Sequence, residues 1–424
     1  MAMSVVTTAQ SATWGIATLA TLGVIVRPWR LPEAIWAVLG AMALVALALL
    51  PWTSALQAIG KGTDVYLFLI GMMLLAELAR KEGLFDWLAA LAVRLARGSP
   101  RKLFALVYAV GTVVTVFLSN DATAVVLTPA VYAAAKAAKV EPLPYLFICA
   151  FIANAASFVL PISNPANLVV FGSHMPPLLL WLAQFGLPSV LSIGATYVAL
   201  HLTQRRSLPQ EISRDVLLPN LSSGGRLTAC GIAMTAPALL LASALDRQLG
   251  LPTFIAGVAT ALVVFLRKRE APWDMLKDIS WGVLPLVAGL FVLVEGLNRT
   301  GVLGALSNFL ESTAEKNATA TAFGAGTIVA GAANLMNNLP VGLLASAAAT
   351  SANLPQQVTG ALLIGVDIGP NLSVTGSLAT ILWLMALRRG GQEISAWKFL
   401  WLGLVVMPPS LLLALGSFVM LQVR

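Results

Sequence analysis

Four polar stretches interrupt apolar runs that are otherwise long enough to cross a bilayer: Ser119-Asn120-Asp121, PISNPAN from Pro161, NLMNNLP from Asn334 and VDIGPNLSVTGS from Val366. In hydrocarbon every backbone N–H and C=O needs a partner within the protein. A helix broken by Pro and Gly in mid-run therefore has to sit against protein or a polar cavity. The bilayer itself follows from composition. Of the 424 residues, 58% are hydrophobic and only 10% charged, with a mean hydropathy of +0.86. Soluble globular chains do not reach these values. The alternating segments of a membrane β-barrel are missing, so the chain reads as an all-α polytopic membrane protein.

Apolar runs lie at Trp14–Val26, Glu33–Leu50, Val65–Leu78, Leu103–Ala135, Tyr145–Val170 and Leu178–Leu202. A second set follows at Leu227–Leu245, Phe254–Leu266, Trp281–Val294, Ala320–Ala352, Val358–Leu387 and Phe399–Leu421, and the two match run for run. The start, MAMSVVTTAQSATW, has no basic region, so the helix from Trp14 is expected to be retained and not cleaved as a signal. Placing six turns on one side gathers 21 of the 26 Lys and Arg there, which makes that side cytoplasmic and leaves both termini outside. The charge of +8 is thereby explained by topology, and no nucleic-acid partner is implied.

A gap-free offset of 218 lays ELARKEGLFDWLAAL from Glu77 over EGLNRTGVLGALSNF from Glu295, and Ser119-Asn120 over Asn337-Asn338. The first copy falls on the cytoplasmic side and the second on the outer side. The expectation is an inverted-repeat secondary transporter with halves 1–220 and 221–424. Its ten crossing helices would accompany two re-entrant hairpins, with tips at Ser119–Asp121 and Asn337–Asn338, and two broken helices, at Pro161–Asn167 and Asp367–Ser377. If both arms of each hairpin crossed, the count would be fourteen. Leu84, Trp87, Leu88, Leu91 and Leu95 share one helical face, which predicts an amphipathic helix along the interface.

Asn164 before Pro165, and Asn338 two residues before Pro340, read as capped helix starts that aim amide donors at a cavity. Ser119, Asn120 and Asp121 are expected to cap the second arm of a hairpin and to wall a small-solute site. Of the 18 Asp and Glu, only Asp121 and Asp367 fall deep in runs. An intramembrane carboxylate costs several kcal/mol unless paired or protonated, which makes both candidate proton carriers. The alternative for each is a permanently neutral acid donating one hydrogen bond.

No nucleotide-binding GxxxxGK[ST] occurs; the nearest text, LQAIGKGT, lacks the first glycine and follows its Lys with Gly. His174, His201, Cys149 and Cys230 are scattered, so no metal site, cofactor or disulfide framework is expected, and the cysteines read as packing residues.

FLSNDATAVVLTPA, MNNLPVGLL and GVDIGPNLSVTGSLATILWL are similar to the arsenite/antimonite efflux permeases of the ArsB family, within the ion transporter superfamily that also holds dicarboxylate and citrate carriers. The resemblance covers nearly the whole chain. It implies export of trivalent arsenic and antimony across the cytoplasmic (inner) membrane of a bacterium or archaeon, by proton antiport, with a separate ATPase subunit able to associate. It leaves a homodimer open, since dimers occur in the superfamily. Family members often carry Lys after the Gly-Pro and Thr-Pro-Ile-Gly next; here Asn371 and Ser373-Val374-Thr375-Gly376 stand instead.

Near neutral pH the solutes are As(OH)3 and Sb(OH)3, uncharged and hydroxylic. Amides and hydroxyls that donate and accept suit them. Asn120, Asn164, Asn167, Asn337, Asn338, Asn371, Ser373 and Thr375 are expected to form that wall, with Ser119 beside them. A sodium-coupled dicarboxylate or other anion carrier is the main rival, although Asp121 would repel an anion. A passive channel and an intramembrane aspartyl protease are weaker alternatives; the protease's Gly-x-Gly before the Asp is missing, since IGV precedes Asp367.

Overall fold

Helices satisfy their own backbone groups. They are what the computed structural model contains: among the described residues, 7–172, 175–209, 211–213, 216–245, 247–351 and 354–422, there is no strand. Five helices, α1 (Thr8–Val26), α2 (Glu33–Ala46), α3 (Trp52–Lys61), α4 (Thr63–Lys81) and α5 (Leu84–Ala96), lead into a hairpin. The hairpin is α6 (Pro100–Phe117), α7 (Asn120–Ala122), a π turn at Thr123–Leu127 and α8 (Thr128–Ala137). Then come α9 (Leu143–Ala155), a break, α10 (Pro165–Phe171) and α11 (Leu178–Gln204).

The same order of elements follows again. It runs α12 (Ser223–Ala244), α13 (Gly250–Lys268), α14 (Trp273–Asp278), α15 (Val283–Arg299) and α16 (Val302–Met336), and continues with α17 (Asn338–Ser351), α18 (Gln356–Ile368), α19 (Leu378–Arg389) and α20 (Ala396–Gln422). Helix α16 is interrupted at Asn317, which leaves helical geometry and caps a restart by accepting from Ala320 N at 2.9 Å.

Among the described residues six helices are long and apolar enough to cross a bilayer, and eight if the bent pairs α3–α4 and α15–α16 each count as one span. The ten crossings expected from the runs would need shorter apolar helices as well, of which α2 and α9 are two. Local chemistry explains several boundaries. Ser99 caps α6 and Ser222 caps α12 by accepting from Lys102 N and Gly225 N. Pro129 has no N–H to continue the ladder of α8, and the widened π turn lies just before it.

Burial sorts the helices. α9, α10 and α18 are buried along nearly their whole length, while α1, α12 and α13 turn large apolar residues such as Leu19, Leu241 and Leu266 outward, as a lipid-facing shell does. Helices α11 and α20 cross through a hydrogen bond of 2.8 Å between Ser192 and Ser410, which stand 218 positions apart. Ion pairs tie the Lys- and Arg-rich ends together: Lys268 to Glu82 at 2.9 Å, and Arg80 to Glu77 and to Asp278, the latter at 2.7 Å. At the opposite end Lys61 reaches Glu295 at 2.9 Å.

Helix α5 buries Leu84, half-buries Trp87, Leu88 and Leu91 and exposes Leu95. It packs against α6 and α8 with Phe85, Ala89, Ala92, Val93 and Ala96, and Leu95 is exposed. The small side chains at Ala89, Ala92 and Ala96 let the backbones approach there.

Close approach also fixes where α18 lies. A Cβ on Gly365 would stand 2.2 Å from Gly326 O, and one on Gly369 would stand 2.4 Å from Ala330 O. Gly365→Ala is therefore expected to destabilise the protein by about 1–3 kcal/mol through overpacking. Gly324→Ala, where a Cβ meets nothing within 4 Å, should be neutral. Thermal unfolding of the two variants in detergent checks this; equal melting temperatures would refute the close-packing account.

Candidate functional site

The site is built where helices stop and restart. In the first hairpin α6 ends and Ser119, extended, caps the next arm by accepting from Ala122 N at 3.2 Å. Asn120 Oδ1 accepts from Asp121 N at 2.9 Å, which leaves its Nδ2 without a partner among the described residues. In the second hairpin the capping amide is Asn337, not Asn338: Asn337 Oδ1 accepts from Leu339 N at 3.4 Å. Asn337 takes φ +72°, a left-handed value that asparagine tolerates better than most residues. Asn338 N is held by Gly376 O at 2.9 Å, and its carboxamide makes no hydrogen bond among the described residues.

The two broken helices supply the other walls. After α9 the chain runs irregularly to Asn164, whose Oδ1 caps α10 by accepting from Ala166 N at 3.0 Å. After α18 a 3₁₀ turn, Gly369–Leu372, leads to Ser377, which caps α19 by accepting from Thr380 N at 3.1 Å.

Asn120, Asp121, Asn164 and Asn338 meet around a cavity of about 10 Å³, with Leu69, Val283 and Leu339 as its apolar side. That is room for about one water. Adjoining it, and sharing Asp121 and Pro165, is a cavity of about 630 Å³ whose wall also carries Ser119. Its polar rim is Glu77, Arg80, Asp86, Asp278 and Arg389, so it opens toward the Lys- and Arg-rich end. Arg80 is neutralised there by Glu77 and Asp278; Arg389 makes no ion pair among the described residues.

The remaining expected site residues lie off both cavities. Asp367 is fully buried and accepts from Asn164 Nδ2 at 2.6 Å through Oδ1, with no partner for Oδ2 among the described residues. Asn167 spends its Nδ2 on Ser157 O and Leu160 O. Asn371 is held by Asn154 and Phe151 O, both at 3.0 Å. Ser373 and Thr375 bond to Asn334, at 2.8 and 3.1 Å.

Asn154, Asn334, Ser377 and Thr380 are the polar residues that sequence reasoning passed over. Asn334 and Ser377 stood at the edges of the quoted stretches. Asn154 sits in an apolar run with no neighbouring signal.

Cys149 is buried, but Cys230 is exposed on the outer face of α12, so only the first is a packing residue. His201 stacks on Tyr197, and His174 lies outside the described residues. Among the described residues no cluster of His, Cys, Asp and Glu could hold a metal ion.

An arsenical pump membrane protein of Yersinia enterocolitica is 28% identical over 82% of this chain and 84% of its own length. The protein of the same name from Escherichia coli (strain K12) is 27% identical over the same shares. An uncharacterized transporter of Mycobacterium tuberculosis is 26% identical over 91% of this chain and 92% of its own.

Two solved structures share the fold. The YdaH transporter of Alcanivorax borkumensis matches with TM-score 0.61 and 16% identity, covering 95% of this chain and 98% of that one. MtrF of Neisseria gonorrhoeae, from a class of antimetabolite efflux pumps, matches with TM-score 0.54 and 13% identity, covering 98% and 95%. Residues 21–387 match the citrate transporter family, CitMHS. With its apolar helices, its fold and a family match spanning most of its length, the chain is a multi-pass membrane transporter that belongs to the citrate transporter family.

Proposed function

We propose that this transporter exports trivalent arsenic and antimony, as As(OH)3 and Sb(OH)3, from the cytoplasm by proton antiport with alternating access. The observation that carries the reading is the wall of the tight cavity: three carboxamides, one carboxyl group, and no Lys or Arg. A citrate or dicarboxylate anion brought there would face Asp121 without a compensating cation. A neutral trihydroxy solute, admitted when the cavity widens beyond its present room for about one water, would instead donate to and accept from Asn120, Asn164 and Asn338. The names of the arsenical pump relatives support the same choice.

In this proposal the chain crosses ten times, its halves 1–220 and 221–424 are inverted repeats, and the hairpin tips enter from opposite sides. The wide cavity opens at the Lys- and Arg-rich end, which the positive-inside rule makes cytoplasmic. It is then the loading side. Asp121 borders both cavities and takes the proton, whereas Asp367 is turned away and serves Asn164. An anion carrier is the second reading, favoured by the citrate transporter family and by Arg389 on the wide cavity.

Everted vesicles decide between them. With an imposed proton gradient the wild type should accumulate arsenite and not citrate, and a protonophore should abolish the accumulation. Citrate uptake without arsenite uptake would overturn the proposal. Asp121→Asn should lose uphill but keep downhill movement, while Asp367→Asn, which can still accept from Asn164, should retain uphill transport. The reverse pattern would move the proton to Asp367.

Asn120→Ala and Asn338→Ala each remove a wall donor. Each is expected to raise KM for arsenite about tenfold, as one lost hydrogen bond of ~1.4 kcal/mol would. An unchanged KM in both variants would take the tip asparagines out of the site.

A further inference from the structure

The two broken helices repeat each other in register. α9 and α18 each have 13 residues and begin 213 positions apart, and α10 and α19 begin with that same offset. It carries Asn154 onto Asp367 and Asn164 onto Ser377. These four side chains bond crosswise. Asn164 Nδ2 donates to Asp367 Oδ1 at 2.6 Å, and Ser377 Oγ donates to Asn154 Oδ1 at 3.3 Å. In each half the helix before the break thus grips the residue that caps the helix after the other half's break.

The second grip is the more extensive. Asn154 Nδ2 also donates to Asn371 Oδ1 at 3.0 Å and to Thr380 Oγ1 at 3.4 Å, and Asn371 Nδ2 returns to Phe151 O at 3.0 Å. Asn154, Asn371, Ser377 and Thr380 are all buried, and Asn154 lines neither cavity. It cannot touch a solute in either.

We propose that Asn154 is a positioning residue for transport: it clasps α18–α19 to α9–α10 so that both broken helices move as one body. The inference rests on the alternating-access reading above. One clasp contains an acid, Asp367; the other contains only amides and hydroxyls. The neutral clasp stays closed whatever the protonation of the carboxyl groups, and so keeps the two restarted helices in register through a cycle. Without Asn154, Asn371 Oδ1 and Ser377 would lack these partners where water does not reach. The helices would then separate to find others.

The test pairs a distance with a rate. Nitroxide labels at Glu141 and Glu393, both exposed at the ends of this body, go onto full-length protein in liposomes. Cys230→Ser removes the exposed thiol, and the buried Cys149 is left in place. The wild type should give one narrow distance distribution and Asn154→Leu a broad one, without added solute. In everted vesicles Asn154→Leu should lower the maximal arsenite rate about tenfold with KM held within about twofold.

A narrow, unchanged distribution overturns the proposal, as does a wild-type rate or a KM that rises together with the loss of rate. If Asn154→Leu does not reach the membrane, Ser377→Ala removes one bond of the clasp from the other side and faces the same two requirements. A wild type that moves no arsenite would sink the proposed function alone, and the distance distribution would then decide the clasp by itself.

Discussion

A helix broken inside a bilayer leaves amide and carbonyl groups that lipid cannot satisfy, and the rest of this architecture answers that constraint. Ser119, Asn164, Asn337 and Ser377 each accept from a freed N–H at a restart, and Gly376 O takes Asn338 N. Such breaks survive only when walled by protein. Hence α9, α10 and α18 are buried almost throughout, and the lipid-facing surface is left to unbroken helices such as α1, α12 and α13. The caps also concentrate polar side chains where the four breaks meet, so Asn164, itself a cap, and residues beside the caps at Ser119 and Asn337 wall the tight cavity.

Charge is kept at the ends. Glu77 and Glu295, which the offset of 218 lays over one another, sit near the ends of α4 and α15 and pair with Arg80 and Lys61. Buried Glu82 is matched by Lys268 and by Ser222 Oγ at 2.9 Å. Pairing at the ends spares these carboxylates an uncompensated desolvation. Asp121 and Asp367, the two acids deep in their runs, have no such partner among the described residues.

Much of this was legible in the sequence because polarity inside an apolar run is rare and costly. The four interruptions, the hairpin caps at Ser119 and the restart at Asn164 followed from that alone. What could not be read depends on partners far along the chain. Asn154 finds Asn371, Ser377 and Thr380 more than 200 residues away, and nothing near it in the sequence announces them. Asn337 and Asn338 are neighbours of one type, so only backbone geometry assigns the cap. Asp121 and Asp367 looked alike in their runs; the packing of α10 against α18 turns one to Asn164 and leaves the other on a cavity.

That difference bears on how a site could be driven. A proton moves an equilibrium only through a group that interacts differently with the two states. Asp367, sealed against Asn164, touches no solute space, so its protonation would reach the site only through the body that holds it. Asp121 stands where the wide cavity meets the tight one. Closing the wide cavity would change its surroundings from an open vestibule to three carboxamides, while a neutral solute at the same wall would leave the charge balance untouched. On the proposed function, a neutral cargo would leave the carboxyl group free to carry the coupling, and weak amide contacts would let the cargo leave.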